Sequence, residues 1–412
     1  MNIAIFATSH LPFVGGSQIA VDEITKRLPE HKFFLFCPRL SKNLPKNETI
    51  NNTVIFRLGI GRNIDKYLFI VLGPLLALRT VGSRAMIWAI MFNYGGLGAL
   101  VYHYLTFKRN RFVLTLQEAA DKSYFKKQAG LFYFLIKPIF LNATHIQAIS
   151  KFTMSVAREI GYKGNNYSII PNGVDIVKFR SDIDMKTRTQ LMDRYNIPGT
   201  ARVLFTASRL SAKNAIGDVI DALHLLPAHY IFIIAGSGEQ EGLIRSKIDT
   251  YKLADRVHLL GDIAHEEIVR ILNISHIFIR PSLREGLGNA FLEAMATGLP
   301  VVATPVGGIN DFLVHEETGI AVEPKNIESI KNGILAYEDN TRYQRIRANG
   351  LKMVSERFTW DIVAKEMNDI FKQVLTHPHL DKLGASLSPS LAPRLTSTSL
   401  SASRSGFERG GL

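Results

Sequence analysis

Short unbroken apolar runs alternate with segments of helical period along the chain. NIAIFAT is followed by GGSQIAVDEITKRL and KFFLF; later RVLFTA, IGDVIDALHLL, YIFIIAG, IRSKI and RVHLLG repeat the pattern. Alternating strand and helix signals predict βαβ units and parallel sheets. Runs such as IFIIA and HIFI show no polar face, as expected of central strands covered on both sides. A second series starts near residue 201, after PNGVD and a polar stretch from Ser181 to Thr200. The pattern therefore predicts two α/β domains, residues 1–170 and 201–354, joined by a linker region at 171–200.

Residues Ala85 to Phe107 contain no Lys, Arg, Asp or Glu, over a length that a membrane-spanning helix would need. Asn93, Tyr94 and the pair Gly95-Gly96 interrupt the run where a strand-to-helix turn would fall, so it reads as strand, turn and buried helix. The start, MNIAIFATSH, has no basic residue before its apolar run, and a buried first strand is expected there rather than a cleaved leader. From Asp381 to Leu412 the chain is rich in Ser, Gly and Pro and is expected to be a disordered tail.

The 412 residues allow two or three domains at roughly 100 to 200 residues each. With 46% hydrophobic and 21% charged residues, wholesale disorder and a polytopic membrane protein are excluded as starting points. The single cysteine, Cys37, supports neither an internal disulfide nor a Cys-rich zinc site and favours a reducing compartment, so a cytoplasmic location is expected. Net charge is +13, and its placement carries more than its size. Residues 1–170 hold 21 Lys+Arg against 8 Asp+Glu, whereas the remainder balances at 28 against 28. Such asymmetry points to an anionic partner on the first half.

The densest chemistry lies in IFIRPSLREGLGNAFLEAMATGLPVVATPVGG, residues 277–308. A strand ending at Pro281, a loop Glu285-Gly286-Leu287-Gly288 and a helix from Asn289 to Thr297 make an anion site. The first helical amides lack partners, and the peptide dipoles leave partial positive charge there. Glu285 stands in the loop and Glu293 in the helix, about 7.5 Å along the axis from its start at about 1.5 Å per residue, so Glu293 can lean back toward the loop. Carboxylates beside a phosphate repel it unless they accept hydrogen bonds from sugar hydroxyls, and a nucleotide diphosphate sugar supplies both parts. On spacing alone, a helix N-terminal charge and a solvated glutamate explain the same pattern.

The E-x7-E spacing of Glu285 and Glu293, followed by EAMATGLPVVATPVGG and preceded by IIPNGVDIVKF, closely resembles the retaining glycosyltransferases of family 4. The similarity runs from the Gly15-Gly16 loop through SRLSAKNAIGDVIDAL, AGSG and RVHLLG to about residue 375. It implies the GT-B fold, two facing Rossmann-like domains with parallel sheets. A C-terminal helix, residues 355–376, would pack back on the first domain. The implied activity is metal-independent, retaining transfer of a hexosyl unit from a nucleotide diphosphate sugar to a saccharide or lipid-linked acceptor, as in the biosynthesis of cell-envelope or surface polysaccharide, with no cofactor beyond the donor. By this resemblance Glu285 contacts the transferred sugar, Glu293 the ribose hydroxyls, and the amides of Gly286, Leu287, Gly288 and Asn289 the sugar and diphosphate. Arg209 and Lys213 neutralise the diphosphate, as a metal-free site requires, and Gly16 opens a helix that faces the donor.

The chain departs from the family pattern at three places. Lys213-Asn214-Ala215 stands where the lysine often comes one position later with a glycine behind it. Gln117, in FVLTLQEAAD, replaces a frequent histidine near the reacting sugar; its amide can hydrogen-bond a hydroxyl or stabilise charge but cannot act as a base. His276 occupies a common aspartate position and reads as a structural substitution. Asp182-Ile183-Asp184 has the D-x-D form of a metal-binding pair, but its polar surroundings favour a solvated turn.

Two basic stretches remain, Lys108-Arg109-Asn110-Arg111 and KSYFKKQAGLFYFLIKPIF from Lys122 to Phe140. The second suits either an amphipathic element on an anionic membrane surface or a core-packing helix with wet lysines. A peripheral contact at the inner face of the cell membrane follows from the first reading. Nucleic acid is not expected, since no recognition motif accompanies the charge. A nucleotide-sugar epimerase of GT-B fold and a non-catalytic GT-B partner subunit also remain compatible with the sequence.

Overall fold

A computed structural model describes residues 1–13, 15–117, 134–180 and 183–376. The first half contains strands β1 (Asn2–Phe6), β2 (Lys32–Pro38), β3 (Asn47–Ile50), β4 (Thr53–Leu58), β5 (Met86–Ile90), β6 (Phe112–Leu116), β7 (His145–Ala148) and β8 (Tyr167–Ile169). They form one sheet in the order β3-β4-β2-β1-β5-β6-β7-β8, with every pair parallel except β3 against β4. Its described helices are α1 (Gly16–Lys26), α2 (Asp65–Val81), α3 (Tyr94–Leu105), α4 (Ile136–Asn142) and α5 (Lys151–Ile160). The second half has β9 (Arg202–Ala207), β10 (Tyr230–Ala235), β11 (Val257–Gly261), β12 (Ile277–Arg280), β13 (Val301–Ala303) and β14 (Ile320–Ala321), all parallel in the order β11-β10-β9-β12-β13-β14. Its helices are α6 (Met185–Arg194), α7 (Ile216–His224), α8 (Glu241–Thr250), α9 (His265–Ile274), α10 (Asn289–Ala296), α11 (Ile327–Leu335), α12 (Asn340–Arg357) and α13 (Trp360–Thr376). Two facing Rossmann-like domains with parallel sheets define the GT-B fold.

Successive side chains of a strand point to opposite faces, and both sheets use both. In the first, Ala4, Phe6, Ile87 and Ala89 enter one core with α2 and α3, while Ile3, Ile5, Met86, Trp88 and Ile90 enter another with α1. That second core is closed by α13, whose Trp360, Val363, Met367 and Phe371 pack on the first sheet although the helix follows the second in sequence. Gly173 makes this crossover feasible, because a Cβ there would come within 2.7 Å of the Trp360 ring. In the second sheet Val203, Phe205, Ile231 and Ile233 face one core, and Leu204, Phe232 and Ile234 the other.

The uncharged segment 85–107 folds as β5, a turn at Met91–Asn93 and α3. Its glycine pair is not in the turn, as the sequence suggested, but in the first helical turn. A Cβ on Gly95 would lie 2.9 Å from Phe6 O, and one on Gly96 2.7 Å from Met91 O, so the glycines serve close helix-to-strand packing. No helix among the described residues is long and apolar enough to cross a membrane. The polar stretch expected to be linker contains α6, which begins where the Asp184 side chain accepts a hydrogen bond from Thr187 N at 2.6 Å and buries Leu191. The tail from 381 to 412 lies outside the described residues, as do Lys122, Lys126, Lys127 and Asp182. At the described end of the Lys122–Phe140 stretch, α4 buries Ile136, Ile139 and Phe140 and leaves Lys137 exposed.

Candidate active site

In an open parallel sheet, ligands bind beyond the carboxyl ends of the strands. The candidate residues follow that rule: Gly16 lies after β1, Gln117 after β6, Arg209 and Lys213 after β9, and the Glu285–Asn289 segment after β12.

The loop 281–288 is fixed from beneath. Gly308 N donates to Glu285 O at 3.0 Å, and a Cβ on Gly307 or Gly308 would overlap the carbonyl oxygens of Glu285 and Gly286. Thr304 Oγ1 donates to Ser282 O, and Leu283 N donates to Lys213 O at 2.7 Å. PVGG is therefore a platform for the glutamate loop. Gly288 caps α10 with φ of 92°, a left-handed backbone that glycine adopts without steric cost.

Glu285 does not stand free. Arg280 Nη2 donates to its Oε2 at 2.9 Å, and Gly286 N donates to its Oε1 at 3.0 Å. The Arg280 guanidinium is buried, lies 4.6 Å from the Phe291 ring centroid and reaches Ser282 Oγ at 3.2 Å. Burial pulls its pKa down, while Glu285 and Glu293 oppose that shift. Sequence reading did not single out Arg280; the available signal was one cation at the end of the apolar run IFIR.

Glu293 retains 19% side-chain exposure, and burial raises its carboxyl to about 7 against the opposing fields of Lys178 and Arg280. His265 Nε2 lies 3.9 Å from Glu293 Oε1, beyond hydrogen-bond reach and without another hydrogen-bond partner, and Phe179 packs 5.2 Å from the imidazole. His265 itself is lowered, first by burial and then by Lys178. Glu293 thus faces α9 and the segment leading from the first domain, a setting its helical position alone did not reveal.

The loop after β9 is seated by the AGSG turn. Leu210 N donates to Ser237 O at 2.8 Å, and Asn214 Nδ2 donates to Arg209 O at 2.7 Å. A Cβ on Gly236, where φ is 127°, would overlap Ser208 O. Arg209 and Lys213 remain exposed and have no ion-pair partner among the described residues. Asn214 and Ala215, where the family pattern is broken, turn inward: Asn214 is buried and Ala215 takes a left-handed φ of 51°.

Across the cleft, Gly15 caps α1 in an extended conformation, so the glycine pair is not required by a left-handed backbone. Gly16 lies close to the facing elements: a Cβ there would touch the side-chain amides of Asn289 and Asn172 at 3.5 and 3.6 Å, ordinary van der Waals contact. Gln117 and Asn172 exchange two amide hydrogen bonds, of 2.9 and 2.8 Å, and Asn172 Nδ2 also approaches Asn289 Oδ1 at 3.4 Å. Gln117 therefore meets α10 through Asn172, a residue of PNGVD whose type and spacing alone point to no role. A second bridge joins Lys151 N at the start of α5 to Asp311 Oδ2 at 2.7 Å.

His276 Nδ1 accepts a hydrogen bond from Val203 N at 3.1 Å, and burial lowers its pKa to about 4, so it ties β9 to β12 as a neutral ring. Backbone and side-chain hydrogen bonds from Thr187 hold the Asp184 carboxyl below its usual range. Among the described residues no group of three or more His, Cys, Asp or Glu is placed to hold a metal ion.

The arrangement offers helix amides and two unpaired cations for a diphosphate, and two carboxylates for hydroxyls. Residues 187–353 match the family model described as glycosyl transferases group 1. An uncharacterized glycosyltransferase of Methanocaldococcus jannaschii is 24% identical over 402 residues, covering 91% of this chain and 99% of that protein. A GDP-mannose-dependent alpha-(1-6)-phosphatidylinositol monomannoside mannosyltransferase of Mycobacterium tuberculosis is 27% identical, covering 49% of this chain and 55% of its own length. The crystal structure of Anabaena HepE in complex with UDP and glucose superposes with a TM-score of 0.76 at 18% identity, over 90% of this chain and 100% of that one. The residues that match that family model run from within α6 to within α12 of the GT-B fold.

Proposed function

We propose that this chain is a retaining, metal-independent glycosyltransferase of family 4, moving a hexosyl unit from a nucleotide diphosphate sugar to a saccharide or lipid-linked acceptor in cell-envelope or surface polysaccharide biosynthesis. The observation that carries the reading is the start of α10, where the amides of Gly286 to Asn289 lie between Glu285 and Glu293 and the exposed Arg209 and Lys213 occupy the neighbouring strand exit. The diphosphate lies against the helix amides with Arg209 and Lys213 balancing its charge, which grows as the sugar departs. Glu285, oriented by Arg280, accepts hydroxyls of the transferred sugar, and ionised Glu293 accepts those of the ribose. The leaving diphosphate assists attack from the same face, so anomeric configuration is retained. Gln117, linked to Asn172, orients the sugar without taking a proton. The basic first domain receives the acceptor, and an anionic membrane surface is its expected neighbour.

The mycobacterial relative acts on a phosphatidylinositol mannoside and so supports a lipid-linked acceptor; HepE, bound to UDP and glucose, supports the donor class. Incubation of the pure protein with a panel of nucleotide sugars tests the reading. Slow release of one sugar from its nucleoside diphosphate is expected. Epimerisation of the donor, or inertness toward every donor with no nucleoside diphosphate bound, contradicts it.

A further inference from the structure

Helix α2 is apolar on two sides. One side enters the core through Phe69, Gly73 and Ala77. The other exposes Ile64, Tyr67, Leu68, Val71, Leu72 and Leu75, each between 42% and 58% accessible. These positions follow the three-four spacing of one helical face and form a stripe along most of the helix, which is about 25 Å long at about 1.5 Å per residue. A contiguous apolar surface of this kind on a folded protein marks an interaction site.

The charges around the stripe identify its partner. From Lys66 to Gln117 the chain contains no Asp or Glu. Asp65, the acidic residue in α2, is buried and accepts from the amides of Gly61 and Arg62 at 2.7 and 3.1 Å, so it presents no outward charge. Arg62 and Lys66 flank the start of the helix, and Arg79 and Arg84 its end. The end of α3 extends this surface: Tyr102 Oη donates to Gly82 O at 2.5 Å, and Asn110 Nδ2 donates to Ser83 O at 3.1 Å. Phe107, 81% exposed, stands there with Arg109 against its ring at 5.8 Å, and Lys108 lies 5.2 Å from the Tyr104 ring. Apolar side chains in a frame of cations with no exposed carboxylate match the boundary of an anionic bilayer, where acyl chains accept the first and headgroups the second.

The stripe also begins at the cleft. The Tyr67 ring meets Tyr94 edge-on at 5.3 Å, and Tyr94 opens α3 beyond the carboxyl end of β5, beside the Thr8 to Asn93 hydrogen bond of 2.5 Å. We infer that the α2 face and the Phe107 corner dock the protein on anionic lipid and hold the mouth of the cleft at the headgroup level, where a lipid-linked acceptor is met. This deepens the proposed function and rests on it for the acceptor, though not for the lipid contact.

Flotation of the full chain with vesicles of phosphatidylcholine alone or mixed with phosphatidylglycerol tests the contact. Binding is expected to the mixed vesicles, weakened by high salt. It should fall at least about tenfold both in Ile64→Ser/Val71→Ser/Leu72→Ser and in Arg79→Glu/Arg84→Glu, since apolar burial and cation attraction each contribute. Absence of binding, or binding unchanged in both variants, overturns the inference. So does sedimentation of the wild type as a dimer that the serine variant dissolves, because a second copy would then cover the stripe. Thermal melting confirms that the variants are folded. Donor hydrolysis without vesicles, measured on the same samples, separates the two readings: lost flotation with intact hydrolysis removes only the docking surface, and intact flotation without hydrolysis removes only the glycosyltransferase.

Discussion

The two domains share an architecture but carry their chemistry differently. In the second, function lies in loops pinned from several sides: Gly307 and Gly308 under Glu285, AGSG under Arg209, and Arg280 against the Phe291 ring. Residues 171–412 balance in charge, and the carboxylates of this half are placed one by one. In the first, the net cationic excess and the exposed α2 stripe are spread over a surface, with Gly16, Gln117 and Asn172 touching the donor side. A small charged ligand demands fixed geometry, whereas a bilayer or a long acceptor demands area and sign.

The sharpest way to break this contrast is at Arg280. Arg280→Met leaves the Glu285 carboxylate without its buried partner and should cost about 3 to 5 kcal/mol in urea denaturation, together with transfer. A loss below about 1 kcal/mol, within the range of an exposed pair, would mean that the loop is not pinned as described. Glu285→Gln keeps the shape and changes one charge. Transfer should fall about a hundredfold or more, the scale for removing one transition-state contact, with no change in vesicle flotation.

Glu293 sharpens the comparison through pH. Its carboxyl is raised to about 7 in the folded protein, so the folded state holds this proton more tightly than the unfolded chain does. Its contribution to the free protein's stability is therefore present below the ordinary carboxylate range and is lost as pH rises through about 7. Melting curves of wild type minus Glu293→Gln should show that slope, free of the carboxylates shifted the other way, such as Glu267 and Glu338. Nucleoside diphosphate binding needs the ionised form and should weaken by up to about tenfold for each pH unit below 7. A flat profile of binding in the wild type would place the ribose elsewhere.

The smallest effect is expected at the D-x-D pattern. Asp184→Ala removes the side-chain cap of α6 and should leave turnover unchanged, with activity persisting in EDTA. Strict dependence on a divalent ion would count against the proposed metal-free leaving-group chemistry.

Much of this was legible in the sequence where function is local. The apolar runs marked the central strands, and residues 277–308 marked a strand, glycine loop and helix at the second domain's strand exit. What stayed hidden depends on contacts distant in sequence. Gln117 pairs with Asn172, and Asn172 reaches Asn289, only because β6 and β8 end and α10 begins at one cleft. Arg280 looked like the end of a strand, and His265 and Lys178 come near Glu293 only where α9 and the interdomain segment pack beside α10. The α2 stripe escaped because apolar positions run round the helix, and the pattern does not say which face the core leaves uncovered.

Isothermal titration of nucleoside diphosphates into the wild type, Glu285→Gln and Glu293→Ala tests the central claim most directly, that one helix start separates a sugar carboxylate from a ribose carboxylate. Glu285→Gln should bind within about tenfold of wild type, a difference of about 1.4 kcal/mol, while Glu293→Ala binds markedly more weakly. Loss of nucleotide in Glu285→Gln with Glu293→Ala unaffected would contradict the assignment.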